Sequence, residues 1–315
     1  MADFFQNGLI ATLPDLAHRP VDELEAELAQ FTERQLMCLI LPALYSEFEG
    51  PAMPRIVEQL SKAHYIDRVV LSLDRASEAQ YRTVRDLMRQ LPGDVRVVWN
   101  DGPRVRSLID ELKHGGFTVG EQGKGRGVWM ALGYALTDKQ VRTIALHDCD
   151  IVNYDRGMLA RLVHPIANPA TDFEYSKGYY ARVEEGLKGR VTRLFFTPLV
   201  RALQSIHPGV QFFDFLDSFR YSLSGEFALV RSLATGIRIA PTWGLEMSML
   251  SEVFEKTTPG RVCQVEITDL YEHKHQSLVA GEHDHGLGGM AFEIASTLFS
   301  TAAQTGVVLS RDSFN

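Results

Sequence analysis

Val141-Arg142-Thr143-Ile144-Ala145-Leu146, followed two residues on by Asp148-Cys149-Asp150, is the stretch on which the fold turns. The apolar run has the length and composition of a buried strand. Two carboxylates one residue apart, just past a strand's carboxyl end, project to one side. In open α/β sheets that end faces the crevice where ligands bind. Hard divalent cations take oxygen ligands of this kind, including the cations that bridge diphosphates.

Upstream, the pattern alternates strand and helix. Val21 to Phe31 reads as a helix, and Leu36 to Leu41 as a strand ended by Pro42. Ala52 to Ala63 is helical. Asp67 to Asp74 is a second strand, followed by a helix through about Gln90. Asp94 to Trp99 is a third strand, closed by Asn100-Asp101-Gly102-Pro103. Pro103 starts a helix that ends at Gly115-Gly116. A glycine-rich turn opens another helix, Gly123 to Ala135, before the strand Val141 to Leu146. This alternation predicts a largely parallel, doubly wound sheet with helices on both faces. Downstream, Asp172 to Val183 alternates like a strand, and Val191 to Ile206 is a helix interrupted at Pro198. Glu226 to Leu233, Glu246 to Phe254 and Leu287 to Ala303 read as helices, and Arg261 to Thr268 as a strand. One continuous domain is expected over 1–315. The irregular second half, about 151–285, suits an acceptor-binding region built onto a nucleotide-binding half over about 36–150, with a C-terminal helix at 286–315.

Composition narrows the class. The chain has 315 residues, 45% of them apolar, and a net charge of −8. An acidic chain without a basic patch argues against nucleic-acid binding. Three scattered cysteines, Cys38, Cys149 and Cys263, make neither a disulfide framework nor a zinc knuckle. Cys38 and Cys263 lie in apolar runs and are expected as buried thiols. Met1-Ala2-Asp3-Phe4-Phe5 lacks the basic flank and apolar core of a signal peptide. No apolar run is long enough to span a bilayer. The expected protein is reduced and cytoplasmic, with no membrane partner.

Several other segments carry chemistry. Gly123-Lys124-Gly125 opens a helix, where glycines let backbone N–H groups approach a phosphate and lysine adds a point charge. It is neither a Walker A loop nor a dinucleotide fingerprint, since Gly125 and Val128 stand at the deciding positions. Leu41-Pro42-Ala43-Leu44 and Asp74-Arg75-Ala76-Ser77 follow the first two strands and would line a nucleotide cleft. Glu272-His273-Lys274-His275 follows the last strand, and an imidazole from it could complete a metal site begun by Asp150. Leu223-Ser224-Gly225-Glu226 and Trp243-Gly244-Leu245-Glu246 each set a carboxylate beside a glycine at an expected helix start. Such acids either accept from sugar hydroxyls or cap the helix. Lys177, Lys188, Arg190 and Arg193, with Gly189 and Thr192, form a basic cluster suited to a phosphate or carboxylate.

In this order the segments resemble retaining glycosyltransferases of family 81, over about Leu36 to His275. The resemblance implies a GT-A fold, a nucleotide-sugar donor and a small anionic acceptor. Pro42, Ala43, Leu44, Asp74, Asp148 and Cys149 would hold the donor, with Lys124 at its diphosphate. Asp150 and His273 would ligate Mg²⁺ or Mn²⁺. Glu226 and Glu246, with Asp148 and Asp150, would make up the catalytic set. Gly189, Arg190, Thr192 and His275 would bind the acceptor. Transfer of glucose from UDP-glucose to 3-phospho-D-glycerate is the implied activity, with an α bond and a homodimer. GDP-mannose as donor or glycerate as acceptor is the alternative within the fold. His275 stands where some members carry Asn, and Ser46 replaces an acidic or amide residue. A nucleotidyltransferase is a further reading, but its glycine-rich loop would follow the first strand, where Leu41-Pro42-Ala43-Leu44 stands. A silent nucleotide-sugar-binding module is the last alternative.

Overall fold

A computed structural model of the chain describes residues 8–33, 35–181, 189–272 and 286–310. Its strands are β1 Ala11–Leu13, β2 Leu36–Leu44, β3 Arg68–Asp74, β4 Asp94–Trp99, β5 Val141–Leu146, β6 Tyr175–Tyr180, β7 Phe227–Val230 and β8 Val262–Thr268. They join in one eight-stranded sheet of order β1-β8-β6-β7-β5-β2-β3-β4. Every described pairing is parallel except those of β7, which runs antiparallel to both β5 and β6. Each buried strand alternates its side chains between two cores. Met37, Leu39 and Leu41 of β2 face one, under helices Val21–Thr32, Ala52–Leu60 and Arg156–Ala167. Cys38 and Ile40 face the other, under helices Lys124–Leu136, Thr197–Ile206 and Leu245–Lys256. Cys38 and Cys263 are buried free thiols, as expected.

The strands β3, β4, β5 and β8 match the sequence reading within a residue or so; the departures have physical causes. β2 runs through Pro42 to Leu44 instead of stopping at Leu41. The Ile40 carbonyl accepts from His147 at the end of β5, so the next same-sided residue, Pro42, looks past where β5 has ended. Its missing N–H therefore forfeits no ladder bond. The strand read over Asp172 to Val183 is confined to Tyr175–Tyr180. The helix read over Glu226 to Leu233 is instead β7 followed by the short helix Arg231–Thr235. Four apolar residues in a row fit either period, and a vacancy between β5 and β6 decides for strand. Near Pro198 the chain stays helical; the irregularity is a π turn, Thr192–Phe196, just upstream. Strand β1 and the helices Arg156–Ala167 and Gln211–Asp217 lacked a pattern strong enough to be read.

Helix Arg156–Ala167 leads the chain away from Asp150 and packs on β5, β6, β7 and β8. It is tied to helix Val21–Thr32 by Glu27, which accepts from Arg19 at 3.0 Å and meets His164 Nε2 at 2.7 Å. Hydrogen bonds from Arg19 first, then His164, hold the Glu27 carboxyl at about 2, below its ordinary 4.5. A depressed acid contributes stability that is present above the ordinary value and lost as pH falls through the folded one. Glu27→Gln should therefore flatten the fall of Tm between about pH 4.5 and 2 relative to wild type, and added salt should shrink the difference. Parallel Tm-against-pH curves for the two proteins would refute the tie.

Candidate active site

Lys124 begins the helix Lys124–Leu136, and its ammonium lies between two carboxylates. It is 2.7 Å from Asp148 Oδ1 and 2.9 Å from Glu246 Oε1. Asp148 follows β5, and Glu246 lies in the first turn of helix Leu245–Lys256. Burial alone would lower the lysine pKa; the carboxylates of Asp148 and Glu246 reverse this and raise it well above the ordinary value. Lys124 is therefore a permanent cation held between two elements distant in sequence.

The glycines flanking Lys124 serve packing more than phosphate approach. A methyl group at Gly125 would lie 1.8 Å from the Ala240 carbonyl oxygen, and at Gly123 2.8 Å from that of Pro241. The Arg126 N–H, one of the free donors of the first turn, is taken by Pro241 O at 2.8 Å. The segment Ala240–Thr242 thus closes over the helix start and aims Lys124 at the carboxyl edge of β5.

At the same edge Asp74, the last residue of β3, is nearly buried. Its Oδ2 accepts from Asn100 at 2.8 Å and its Oδ1 from Gln122 at 2.9 Å. Burial raises its pKa, partly offset by the Gln122 and Asn100 hydrogen bonds. The N-cap of the following helix is Ser77, in a capping box with Gln80, so Asp74 is free of that duty. Asn100 and Gln122 were not singled out from sequence, since Asn100 lies in what read as a plain turn. Pro42 and Ala43 end β2 beside them, with Leu44 38% exposed at the rim.

Asp150 is half-buried, with its Oδ1 fully shielded, and burial first, then the charge of Asp148, lifts its pKa to about 7. Cys149 is buried, and burial pushes its thiol pKa well up, so it adds no charge between the two acids. His147, on the inner side, is uncharged, with burial pulling it down to about 3. The chain just beyond is stitched to the end of the last strand segment. Val152 N–H donates to Glu272 O at 2.8 Å, Glu272 N–H to Asn153 Oδ1 at 3.0 Å, and Asn153 Nδ2 to Leu270 O at 2.9 Å. Position 273 therefore continues directly from a residue bonded two positions beyond Asp150. His273 and His275 themselves lie outside the described residues. Among the described residues no group of three or more His, Cys, Asp or Glu forms a metal cage.

Glu226 stands at the head of β7 rather than at a helix start, and is wholly buried. It accepts from Tyr271 Oη at 2.6 Å through Oε1 and from Tyr180 Oη at 2.9 Å through Oε2. Burial, then Asp148, raises its pKa to about 7, against the two hydroxyls. Gly225 before it meets Asp148 so closely that a methyl group there would lie 2.2 Å from Oδ2. Lys177 is not part of an exposed basic cluster: it is buried in β6 and donates to Ser224 O at 2.6 Å. Lys188 lies outside the described residues. Arg190 and Arg193 are exposed, and Thr192 is buried in the π turn. Gly189, at φ +70°, lies against the Tyr221 ring, whose neighbour at 5.1 Å is Tyr180. Through Tyr221 and Tyr180, Gly189 is thus linked to Glu226.

Known proteins resemble this chain throughout. A glucosyl-3-phosphoglycerate synthase of Persephonella marina is 56% identical over 314 residues, 100% of this chain and 78% of that protein. The chain belongs to the glucosyl-3-phosphoglycerate synthase family. Another member, from Methanococcoides burtonii, is 37% identical over 271 residues, 85% of this chain and 66% of that protein. No model of a known protein family matches the chain. The crystal structure of the Mycobacterium tuberculosis synthase with Mn²⁺, UDP and phosphoglyceric acid aligns with a TM-score of 0.68. That match is 22% identical and covers 96% of this chain and 88% of the other. It shows the fold, and the sheet described above is of the GT-A type.

The close fit at the helix start is open to test. Gly125→Ala must drive the helix off Ala240 and should cost about 2 kcal/mol or more, a Tm loss of several degrees. Gly133, in the same helix, has nothing within 4 Å of the same added atom. Gly133→Ala should be neutral or stabilising by up to about 1 kcal/mol. Equal melting temperatures for the two variants would refute the packing role of Gly125.

Proposed function

We propose that this chain transfers the glucosyl group of UDP-glucose to 3-phospho-D-glycerate, retaining the anomeric configuration, with Mg²⁺ or Mn²⁺ as cofactor. The observation that carries the reading is 56% identity along the whole chain to a glucosyl-3-phosphoglycerate synthase. The geometry supports it. Lys124, Asp148 and Glu246 converge at the carboxyl edge of β5, and Asp74 lies at the same edge of β3.

The donor set suits a hard divalent cation. Mg²⁺-type ions are held by one or two carboxylates together with substrate phosphates rather than by an all-protein cage. Asp150 offers a carboxylate beside Asp148, and the bonds of Glu272 to Val152 and Asn153 support His273 as the second ligand. When bound, such an ion supplies charge stabilisation for the departing diphosphate. Lys124 supplies a second positive charge and stays protonated throughout, so it acts as an electrostatic partner and not as an acid. Pro42, Ala43, Leu44, Asp74 and Cys149 line the donor side, with Asp74 oriented by Asn100 and Gln122. Glu246 is positioned to accept from a sugar hydroxyl once the donor diphosphate competes for Lys124. Gly189, Arg190, Thr192 and His275 receive the charged groups of the acceptor. A retaining transfer of this kind needs no dedicated base, because the leaving phosphate can take the acceptor proton.

The division into a donor half over about 36–150, an acceptor half over about 151–285 and a C-terminal helix belongs to this proposal. So do the homodimer, which rests on the family resemblance, and the cytoplasmic location, which rests on composition and the scattered cysteines. No described helix is long and apolar enough to cross a membrane.

The test is a product assay with mass detection. UDP-glucose and GDP-mannose are each paired with 3-phosphoglycerate and with glycerate, with Mg²⁺ or Mn²⁺ and with EDTA. A glucosyl-phosphoglycerate adduct that EDTA abolishes is expected, and Asp150→Ala should lower turnover on the order of 100-fold in a folded protein. Product from GDP-mannose alone, or with glycerate alone, would overturn the specificity. Full metal-dependent turnover in Asp150→Ala would remove Asp150 from the site.

A further inference from the structure

Glu226 lies inside the fold, immediately before β7. It is wholly buried, and each carboxylate oxygen already accepts a tyrosine hydroxyl. The two tyrosines are themselves joined, with ring centroids 3.7 Å apart and planes 4° from parallel. Tyr180 ends β6 and Tyr271 lies beyond β8, and there the backbone still pairs, Tyr271 N–H to Ala181 O at 3.2 Å. From Ala181 the chain runs on to Gly189 and Arg190. From Glu272 it runs on to His273 and His275. Two site-bearing segments therefore leave the sheet from one stacked pair.

Further contacts tie this pair to the rest of the site. Tyr221, tilted against Tyr180 with ring centroids 5.1 Å apart, is the ring that Gly189 lies against. Gly225, adjacent to Glu226, bears on Asp148. Lys177 holds Ser224 O at 2.6 Å, and Ser224 Oγ in turn donates to Gly178 O at 2.6 Å, so the strand start that presents Glu226 cannot shift alone. A buried carboxylate accepting two hydroxyls has no low-energy alternative, because losing either leaves a charged oxygen unsatisfied.

We propose that Tyr180 and Tyr271 are positioning residues for glucosyl transfer: their hydroxyls, shared on Glu226, lock the acceptor-side segment and the metal-side segment into one register. The proposal rests on the functional reading above and adds residues that the sequence motifs did not contain. Neither tyrosine touches a reacting atom. Their effect passes through Glu226 to Gly225 and Asp148 on one side, and through Glu272 to Val152 and Asn153, just beyond Asp150, on the other. Because both act on one carboxylate, their contributions must be coupled.

The test compares wild type with Tyr180→Phe, Tyr271→Phe and the double variant, each checked by circular dichroism and melting. Each single variant should show about a tenfold lower kcat, with a raised acceptor KM and a raised Mn²⁺ concentration for half-activation. The double variant should lose little more than the worse single variant. Independent, multiplicative losses would overturn the shared-carboxylate register. So would a lowered Tm with unchanged kinetic constants, which is what purely structural tyrosines would give. If wild type yields no product with any donor and acceptor, the functional reading fails by itself. The register is then decided by calorimetric titration of Mn²⁺ with UDP: weaker binding in both single variants supports it, and unchanged affinity refutes it.

Discussion

A lysine ammonium sunk between two carboxylates is the constraint on which the rest depends. Lys124, Asp148 and Glu246 come from a helix start, a strand end and a second helix start that are far apart in the chain. An unpaired buried ammonium would shed its proton, and an unpaired buried carboxylate would gain one. Lys124 stays an ion because the two carboxylates outweigh the burial that would lower its pKa. Any sequence that keeps this lysine charged must therefore bring helix Lys124–Leu136, the end of β5 and helix Leu245–Lys256 to one point. The glycines at 123 and 125 permit this, because side chains there would collide with the Ala240 and Pro241 backbone.

The antiparallel strand gives the site its second half. In a parallel sheet only the carboxyl ends of strands meet the binding edge. β7 runs the other way, so its amino end reaches that edge, and Gly225 and Glu226 arrive beside Asp148. A reversed strand thus lets residues at the start of an element join residues at the ends of others. The absence of a side chain at Gly225 is what allows the close approach.

The parallel half of the fold was legible because its strands are continuous apolar runs bounded by turns, as in Val141–Leu146 and Arg68–Asp74. The residues proposed for the donor, among them Pro42, Asp74 and Asp148, stand where that reading put them, at the ends of such strands. What sequence concealed is what tertiary packing decides. Phe227–Val230 carries no periodicity that separates strand from helix, and its neighbours in the sheet settle it. Lys177 looked like one member of a basic face, but in β6 it is buried and bonded to a backbone carbonyl. Tyr180 and Tyr271 are more than ninety residues apart, and nothing local marks them as a stacked pair. Asn100 and Gln122 gain meaning only through Asp74, which neither adjoins in sequence.

Charge balance explains why this edge calls for a cation. Asp148, Asp150, Glu226 and Glu246 gather around Lys124 and Lys177, four carboxyl groups to two amines. Asp150 and Glu226 respond with raised pKa values, each through burial first and the charge of Asp148 next. A diphosphate entering this field would meet net repulsion, and Lys124 alone, already shared between two acids, could not reverse it. If Asp150 holds the proposed divalent ion, the added positive charge would favour the ionised form of Asp150 and leave Lys124 to face the diphosphate. Metal and nucleotide-sugar are then expected to bind with positive coupling, because each removes the repulsion that opposes the other.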